Sequence, residues 1–349
     1  MNYNYASFCV YLVCLFTACT DFNLNAPYKD VPVVYGILNY QDSIHYVKIY
    51  KGFQPKENGS AFIDAQNPDS IYYYNNITVV LEEYDVNDKR TSRPNIPLYI
   101  THDFERDSGI FYYKDERILY YTTENINKEM IYKIKITNKL NGNIIEGKTP
   151  IVGDFRISNI SSDLNMLRST SINFISAPNA AKTGYEIHVN FIYFEVEIST
   201  NKVIYTGKIE KNICPNISET FKTNNYGELY KEFVPTLYDD LAVQLKPNSN
   251  IVRYIGWEGS NGSCIEVEAW AAEESMVNFL LSNKPTNSFV QVNNIYTNLT
   301  ASEGKVFGFL SSKVKTKRTF NITHASEDSL YFGSKTNHLG FRPWIEYNP

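Results

Sequence analysis

The residue with the most specific chemistry in this sequence is Cys19, which ends the stretch Leu15-Phe16-Thr17-Ala18-Cys19. The run from Ala6 to Ala18 is apolar almost throughout, but it is too short to span a bilayer, because a membrane helix needs about 20 residues. A secretory hydrophobic region of about 7 to 15 residues that ends in small side chains fits the pattern. We therefore expect residues 1–18 to be a lipoprotein signal peptide and Cys19 to carry lipid after cleavage.

Two features of this segment depart from the usual lipoprotein pattern. No lysine or arginine precedes Lys29, and Phe16 stands where an aliphatic side chain is usual. Plain secretion and an uncleaved anchor or buried strand therefore stay open as alternatives. If the cysteine is lipidated, residues 19–27 form a polar tether, and its acyl chains hold the protein at a membrane through about 0.8 kcal/mol per buried methylene. The single acid of the tether, Asp21, leaves open whether the protein faces outward or inward.

The remaining cysteines suggest one disulfide bond. Cys9 and Cys14 leave with the signal peptide and Cys19 takes lipid, so the mature body keeps Cys214 and Cys264. An even number of cysteines in an oxidising compartment favours a disulfide bond. Two separate buried thiols are the alternative.

No set of residues has the spacing of a catalytic or metal site. The five histidines lack an i, i+4 pair and lack a cysteine or acid at ligand spacing; they are His45, His102, His188, His324 and His338. A nucleophile elbow, a phosphate loop and a dinucleotide fingerprint are all missing from the sequence. Acidic pairs such as Glu82-Glu83 are too common to indicate glycoside hydrolysis. We therefore predict no catalytic residue, no metal ion and no cofactor, and a protein that is not an enzyme.

A few residues could be modified or could touch a ligand. Ser43, Ser70 and Ser329 each stand in an Asp-Ser-aliphatic triplet, which is similar to the O-glycosylation acceptor of Bacteroidetes-type exported proteins. The same pair is also an ordinary turn. Trp257 could offer a stacking surface, with a packed core tryptophan as the alternative. The segment from Asn212 to Tyr238 reads as a loop that could carry a binding face.

Composition bounds the class of protein. The chain has 349 residues, of which 43% are hydrophobic and 20% charged, so it has ample material for a folded core. Its net charge of −5 argues against nucleic acid as a partner. The 28 tyrosines indicate a high content of strands. The alternative is that some of them form an aromatic platform for a ligand.

The elements that must position these residues are mostly strands. Short alternating runs bounded by turn residues predict an immunoglobulin-like β-sandwich over residues 28–151, and a larger β-rich domain over residues 152–349. The long run from Tyr185 to Glu197 loses its alternation near Phe191, which predicts a bulge or a strand buried on both faces. One short helix is expected after Ala272, and Leu330 to Phe332 reads as a closing strand. The predicted class is mainly β.

Several of these segments resemble one family. The matching segments are Asn25 to Asn39, Tyr46 to Phe53, the hairpin that ends in Thr149-Pro150-Ile151, Asn294 to Asn298, and Gly304 to Phe309. Together they are similar to the domain-of-unknown-function family 4249, whose members are Bacteroidetes-type outer-membrane lipoproteins, often encoded beside TonB-dependent receptors.

The resemblance implies a location and a partner for this chain. The location is the outer membrane, on either its cell-surface or its periplasmic face, and the partner is a TonB-dependent receptor. The expected function is an accessory or capture protein in nutrient uptake, whose ligand could be a small molecule, a glycan or a peptide. A structural or adhesive envelope protein and a surface hydrolase are the alternatives.

Overall fold

The computed structural model describes nine stretches of the chain. They are residues 29–52, 67–104, 117–158, 163–176, 184–213, 222–223, 229–233, 235–283 and 296–347. The predicted signal peptide, Cys19 and Cys214 lie outside these described residues. Within them, no helix has the length and apolar character that crossing a membrane requires.

The predicted mainly β class is confirmed by nineteen described strands. In the first part of the chain they are β1 Pro32–Leu38, β2 His45–Lys51, β3 Ile77–Tyr84, β4 Ile96–Phe104, β5 Arg117–Thr122, β6 Ile131–Asn138 and β7 Ile144–Pro150. In the remainder they are β8 Phe155–Ile157, β9 Asp163–Leu164, β10 Thr170–Ser176, β11 Gly184–Glu197, β12 Lys202–Asn212, β13 Lys222–Thr223, β14 Leu229–Phe233, β15 Ile251–Ile255, β16 Ile265–Ala272, β17 Leu299–Ala301, β18 Phe307–Ile322 and β19 Phe341–Arg342. The described α-helices are α1 Leu237–Gln244, α2 Glu274–Ser282 and α3 His324–Phe332.

The first strands form a barrel around an apolar core. The strand order is β17-β7-β6-β3-β4-β5-β2-β1-β18, and a parallel bridge between Thr297 and Gly308 brings the two ends of this order together. Alternating side chains of each strand point inward, so that Val34, Leu81 and Ile134 are fully buried. We call β1 to β7, β17 and the first half of β18 the N-terminal barrel. Its two broad faces, which share β4, are compatible with a β-sandwich.

The long strand β18 joins this barrel to the rest of the molecule. Its first residues pair in parallel with β1, from Val33↔Phe307 to Leu38↔Ser312, and its later residues pair antiparallel with β16. The chain crosses between the two parts at Ser312, whose hydroxyl donates to Pro150 O at 2.7 Å and accepts from Val152 N at 2.9 Å. Ile151 accordingly packs in the first core and Val152 in the second.

Strand β11 organises the second part. It pairs with β12 on one side, and on the other side with β16 as far as Phe191 and with β15 from Tyr193. Beyond this change of partner, Tyr193 packs in the main second core, while Phe194 packs under Trp344 of the C-terminal tail. The predicted strand buried on both faces is therefore present, because the C-terminal tail covers its outer side.

Helix α2 matches the predicted helix, and the other two correct the sequence interpretation. Leu330 to Phe332, which the apolar run suggested as a strand, forms the last turn of α3, because Ser326 and Leu330 bury one helical face. Helix α1 begins at Leu237, inside the segment interpreted as a loop, and buries Leu237 and Leu241 in the same i, i+4 manner. Both helices are a few turns long, so their periodicity in the sequence is weak.

Candidate functional site

An outward-facing group of aromatic side chains lies on the β4-β5-β2-β1-β18 face of the N-terminal barrel. Alternation along each strand sends neighbours such as Val34 and Val47 into the core and leaves the aromatic residues on the opposite side. We call this group the aromatic face. Its members are Tyr35 on β1, Tyr46 and Tyr50 on β2, Tyr121 on β5, Tyr99 on β4, Phe309 on β18 and Phe279 on α2.

Three tyrosines of the aromatic face form a row across adjacent strands. Tyr121 pairs in register with Tyr46 on one side and with Tyr99 on the other. The ring centroids of Tyr46 and Tyr121 are 6.4 Å apart, as are those of Tyr99 and Tyr121. Tyr99 is 60% exposed, and Tyr46 and Tyr121 are half-buried. The row is therefore a broad aromatic surface that solvent reaches at its Tyr99 end.

Helix α2 braces the other side of the aromatic face. The Phe279 ring lies 4.5 Å from Phe309 and 5.6 Å from Tyr35, and Tyr35 lies 5.7 Å from Phe309. Such tilted and edge-to-face pairs add about 0.5–1.5 kcal/mol each beyond area burial. The sheet and the helix thus hold these rings in fixed orientations.

Tyr50 and Lys48 add polar groups to the aromatic face beside Tyr35. The Tyr50 ring lies 6.3 Å from Tyr35, and Lys48 Nζ lies 5.0 Å above its centroid. Burial, together with the neighbouring Tyr35 hydroxyl, raises the pKa of Tyr50 to about 12. Tyr50 therefore stays neutral at physiological pH and offers a hydroxyl, not a charge.

The described part of the barrel also carries a groove of about 350 Å³ on its β3-β6-β7-β17 side, with charged side chains at its wall. Its two lysines are already paired: Lys133 Nζ lies 2.8 Å from Glu146, and Lys148 Nζ lies 2.6 Å from Asp88. A second concavity, behind β12, has room for about one water molecule at 20 Å³. Neither has a free charge to orient a ligand.

The structure brings together one cluster that the sequence search missed. His188 Nδ1 lies 2.5 Å from Glu210, and its Nε2 lies 2.9 Å from Glu186, so two acids stand at the histidine although none has ligand spacing in the sequence. The signal was present in the alternation, because Glu186 and His188 share a strand face. Both ring nitrogens face carboxylates.

This cluster belongs to a charged outer face of the second part. Trp270 lies edge-on to His188 at 5.3 Å, and Lys315 Nζ lies 4.7 Å above the Trp270 ring and 3.1 Å from Glu268. Lys317 pairs with Glu266. Lys315 and Lys317, which alternate along β18, are thus paired within the sheet. Among the described residues, no group of three or more histidines, cysteines or acids is arranged to hold a metal ion.

The residues predicted as modification or contact sites are scattered over the fold. Ser43 is exposed in the turn before β2, Ser70 is half-buried at the end of a 3₁₀ helix, and Ser329 is half-buried inside α3. Trp257 is 37% exposed in the turn between β15 and β16, where its backbone N–H donates to Ser260 Oγ at 3.2 Å. None of these residues is a member of the aromatic face.

Cys264 is a free and fully buried thiol in the structure. Cys214 lies outside the described residues, so its pairing with Cys264 stays a prediction of the sequence. Burial raises the pKa of the Cys264 thiol, and only a thiolate reacts readily.

We therefore expect Cys264 to be unreactive in the folded protein. Native protein of residues 20–349 should leave this thiol unmodified by a soluble disulfide reagent. The same protein, denatured without reductant, should titrate two thiols. A count of zero after denaturation would instead show the disulfide between Cys214 and Cys264.

A scan against protein-family models gives no match, and no curated protein matches the chain significantly. The resemblance to family 4249 therefore stays an expectation from the sequence.

Proposed function

We propose that this protein is a lipid-anchored binding protein of the outer membrane, which captures a nutrient for a TonB-dependent receptor and performs no catalysis. The apolar segment before Cys19 supports the anchor, and the family resemblance supports the location and the partner. The observation that carries the binding role is the row Tyr46, Tyr121 and Tyr99, placed in register on three adjacent strands.

This row has the physical properties of a binding surface. Each ring offers a large apolar area with a hydroxyl at its edge, and it loses little conformational entropy on binding. The rings stand on strands, which hold them more firmly than loops would. The face is broad, and a catalytic site would instead need groups that converge in a cleft. Capture of a ligand or a receptor surface is the role that this geometry supports best.

Removing two rings of the row should weaken capture without unfolding the protein. We expect Tyr99→Ala combined with Tyr121→Ala to lower binding about tenfold or more, because tyrosines that a partner covers are common binding hot spots. Tyr99→Ala should cost less than about 1 kcal/mol of stability, the size of one cross-strand pair, and Tyr121→Ala, which loses two such pairs, less than about 2 kcal/mol. The measurement is recovery of a TonB-dependent receptor with the tagged protein from solubilised outer membranes, followed by mass spectrometry, and growth on limiting nutrients.

A matched control comes from the second part of the molecule. Tyr205 on β12 is 51% exposed and lies outside the aromatic face, so Tyr205→Ala should leave recovery and growth unchanged. Full recovery and growth with the double variant would reject the aromatic face as the binding surface. Loss with Tyr205→Ala alone would place that surface on the second part instead.

The anchor has its own test. Radiolabelled palmitate should enter the protein in cells and should not enter a Cys19→Ala variant. Equal labelling of the two proteins, or none in either, would remove the lipid anchor and with it the proposed location.

A further inference from the structure

We propose that one end of the N-terminal barrel faces the membrane and that the hairpin turn Lys139–Gly142 contacts the lipid headgroups. The second part of the molecule is then held on the side away from the membrane. This inference rests on the proposed lipid at Cys19. It follows from where the tether enters the folded body.

The tether enters at Asp30, which two side chains hold. Asp30 Oδ1 accepts from the Tyr73 hydroxyl at 2.5 Å, and its Oδ2 accepts from Asn138 Nδ2 at 3.1 Å. Asn138 is the last residue of β6 and directly precedes the hairpin turn. The entry point of the tether and this turn are therefore neighbours.

The end of the barrel that holds Asp30 and the hairpin turn is also identified by the directions of its strands. We call it the anchor end. β1, β3 and β18 begin there, while β2 and β6 finish there, as their registers require. The opposite end carries the turn between Tyr84 and Arg90. The crossing at Ser312, where the second part begins, also lies at this opposite end.

The average span of a flexible tether is shorter than the barrel. Eleven peptide steps separate Cys19 from Asp30, which reach at most about 40 Å when fully extended and average about 20 Å when flexible. The eight residues of β3 span about 26 Å from one end of the barrel to the other at 3.3 Å per residue. At its average span, a flexible tether places the anchor end nearest the lipid.

The turn at the anchor end carries side chains suited to a headgroup region. Leu140 is 72% exposed at its tip, and Lys139 is also exposed, with its Nζ donating to Asn75 O at 2.7 Å. An apolar side chain beside a lysine can insert at the acyl boundary while the ammonium stays among anionic headgroups. Val86 at the opposite end and Ile345 in the C-terminal tail are also exposed, at 63% and 91%, but neither adjoins a residue that holds the tether entry.

The test measures distance from the bilayer at three positions. Protein of residues 19–349 carrying Cys214→Ser is coupled through Cys19 to a maleimide lipid, in vesicles of phosphatidylcholine and anionic phosphatidylglycerol that contain a nitroxide-headgroup lipid. Cys264 is buried and does not couple. A fluorescent amino acid replaces Leu140, Val86 or Ile345 in turn. We expect loss of most of the fluorescence at position 140 and little loss at 86 or 345.

Other outcomes overturn the orientation. Equal quenching at all three positions would show that the body tumbles on its tether. Stronger quenching at 86 or 345 than at 140 would reverse the orientation. Circular dichroism of each labelled protein confirms that it is folded. Because the lipid is attached chemically, this result is independent of palmitate labelling in cells, so failure of the anchor and failure of the orientation are told apart.

Discussion

Gly308→Ala is expected to abolish folding of this protein. Gly308 adopts a φ of +95°, and a Cβ there would lie 1.9 Å from Val34 O and 2.7 Å from Val34 C. The clash is with backbone, and β1 cannot move aside because it is paired with β2 and with β18. The expected loss in free energy of unfolding exceeds about 4–5 kcal/mol, which few single substitutions reach. A loss of this size is comparable to the whole stability of a typical domain.

Gly304→Ala is the matched control, four residues earlier in the same segment. Gly304 also has a positive φ, +77°, but a Cβ at this position would meet no described atom within 4 Å. Only the left-handed backbone is strained, which costs about 1–2 kcal/mol. Soluble yield and urea unfolding measure both variants. If Gly308→Ala were no more destabilised than Gly304→Ala, the close approach of β18 to β1 would be wrong.

Local pairing in this fold follows from the sequence. The alternation of Tyr46, Lys48 and Tyr50 against Val47 and Ile49 predicts β2 and its two faces, because a strand puts successive side chains on opposite sides. The turn residues after Asn138 likewise predict the β6–β7 hairpin, since a short connection leaves few other arrangements. These predictions needed only neighbouring residues.

Long-range pairing does not follow in the same way. The parallel match of Val33 with Phe307 joins residues far apart in the chain, and no local pattern favours it over other strand partners. The row Tyr46, Tyr121 and Tyr99 depends on β5 lying between β2 and β4. The sequence around Tyr99 alone therefore does not predict that these tyrosines are neighbours. The sequence supplied the tyrosines, and the strand order brought them together.

The place where the barrel closes, which we call its joint, is the contact between Asn298 and β18. It is a second long-range feature that the sequence does not predict. The Asn298 side chain pairs with the backbone of β18, as a neighbouring strand would, and no local pattern in the sequence indicates this. Asn298 Oδ1 accepts from Leu310 N at 3.0 Å, and its Nδ2 donates to Leu310 O at 2.7 Å. The same Nδ2 lies 3.0 Å from Ser275 Oγ and 3.3 Å from Lys148 O. One amide thus connects β18, α2 and β7.

Asn298→Ala should therefore open this joint. It leaves the N–H and C=O of the fully buried Leu310 without these partners, and each unsatisfied buried group costs about 1–3 kcal/mol. The expected loss in free energy of unfolding is about 2–6 kcal/mol for the two groups. Asn298→Asp should be no better, because a carboxylate accepts from Leu310 N–H but repels Leu310 O and Lys148 O.

Asn283→Ala is the control, since the Asn283 amide donates to Phe279 O at 2.8 Å from an exposed position at the end of α2. An exposed site of this kind should cost about 0.5 kcal/mol or less. Urea unfolding compares the three variants, and amide hydrogen exchange at Leu310 locates the defect, because an opened joint should speed exchange there before the core of β6 is affected. Unchanged exchange at Leu310 in Asn298→Ala would mean that the backbone of β18 is held by the β1 pairing alone, and that the side chain of Asn298 merely fills the gap between the strands.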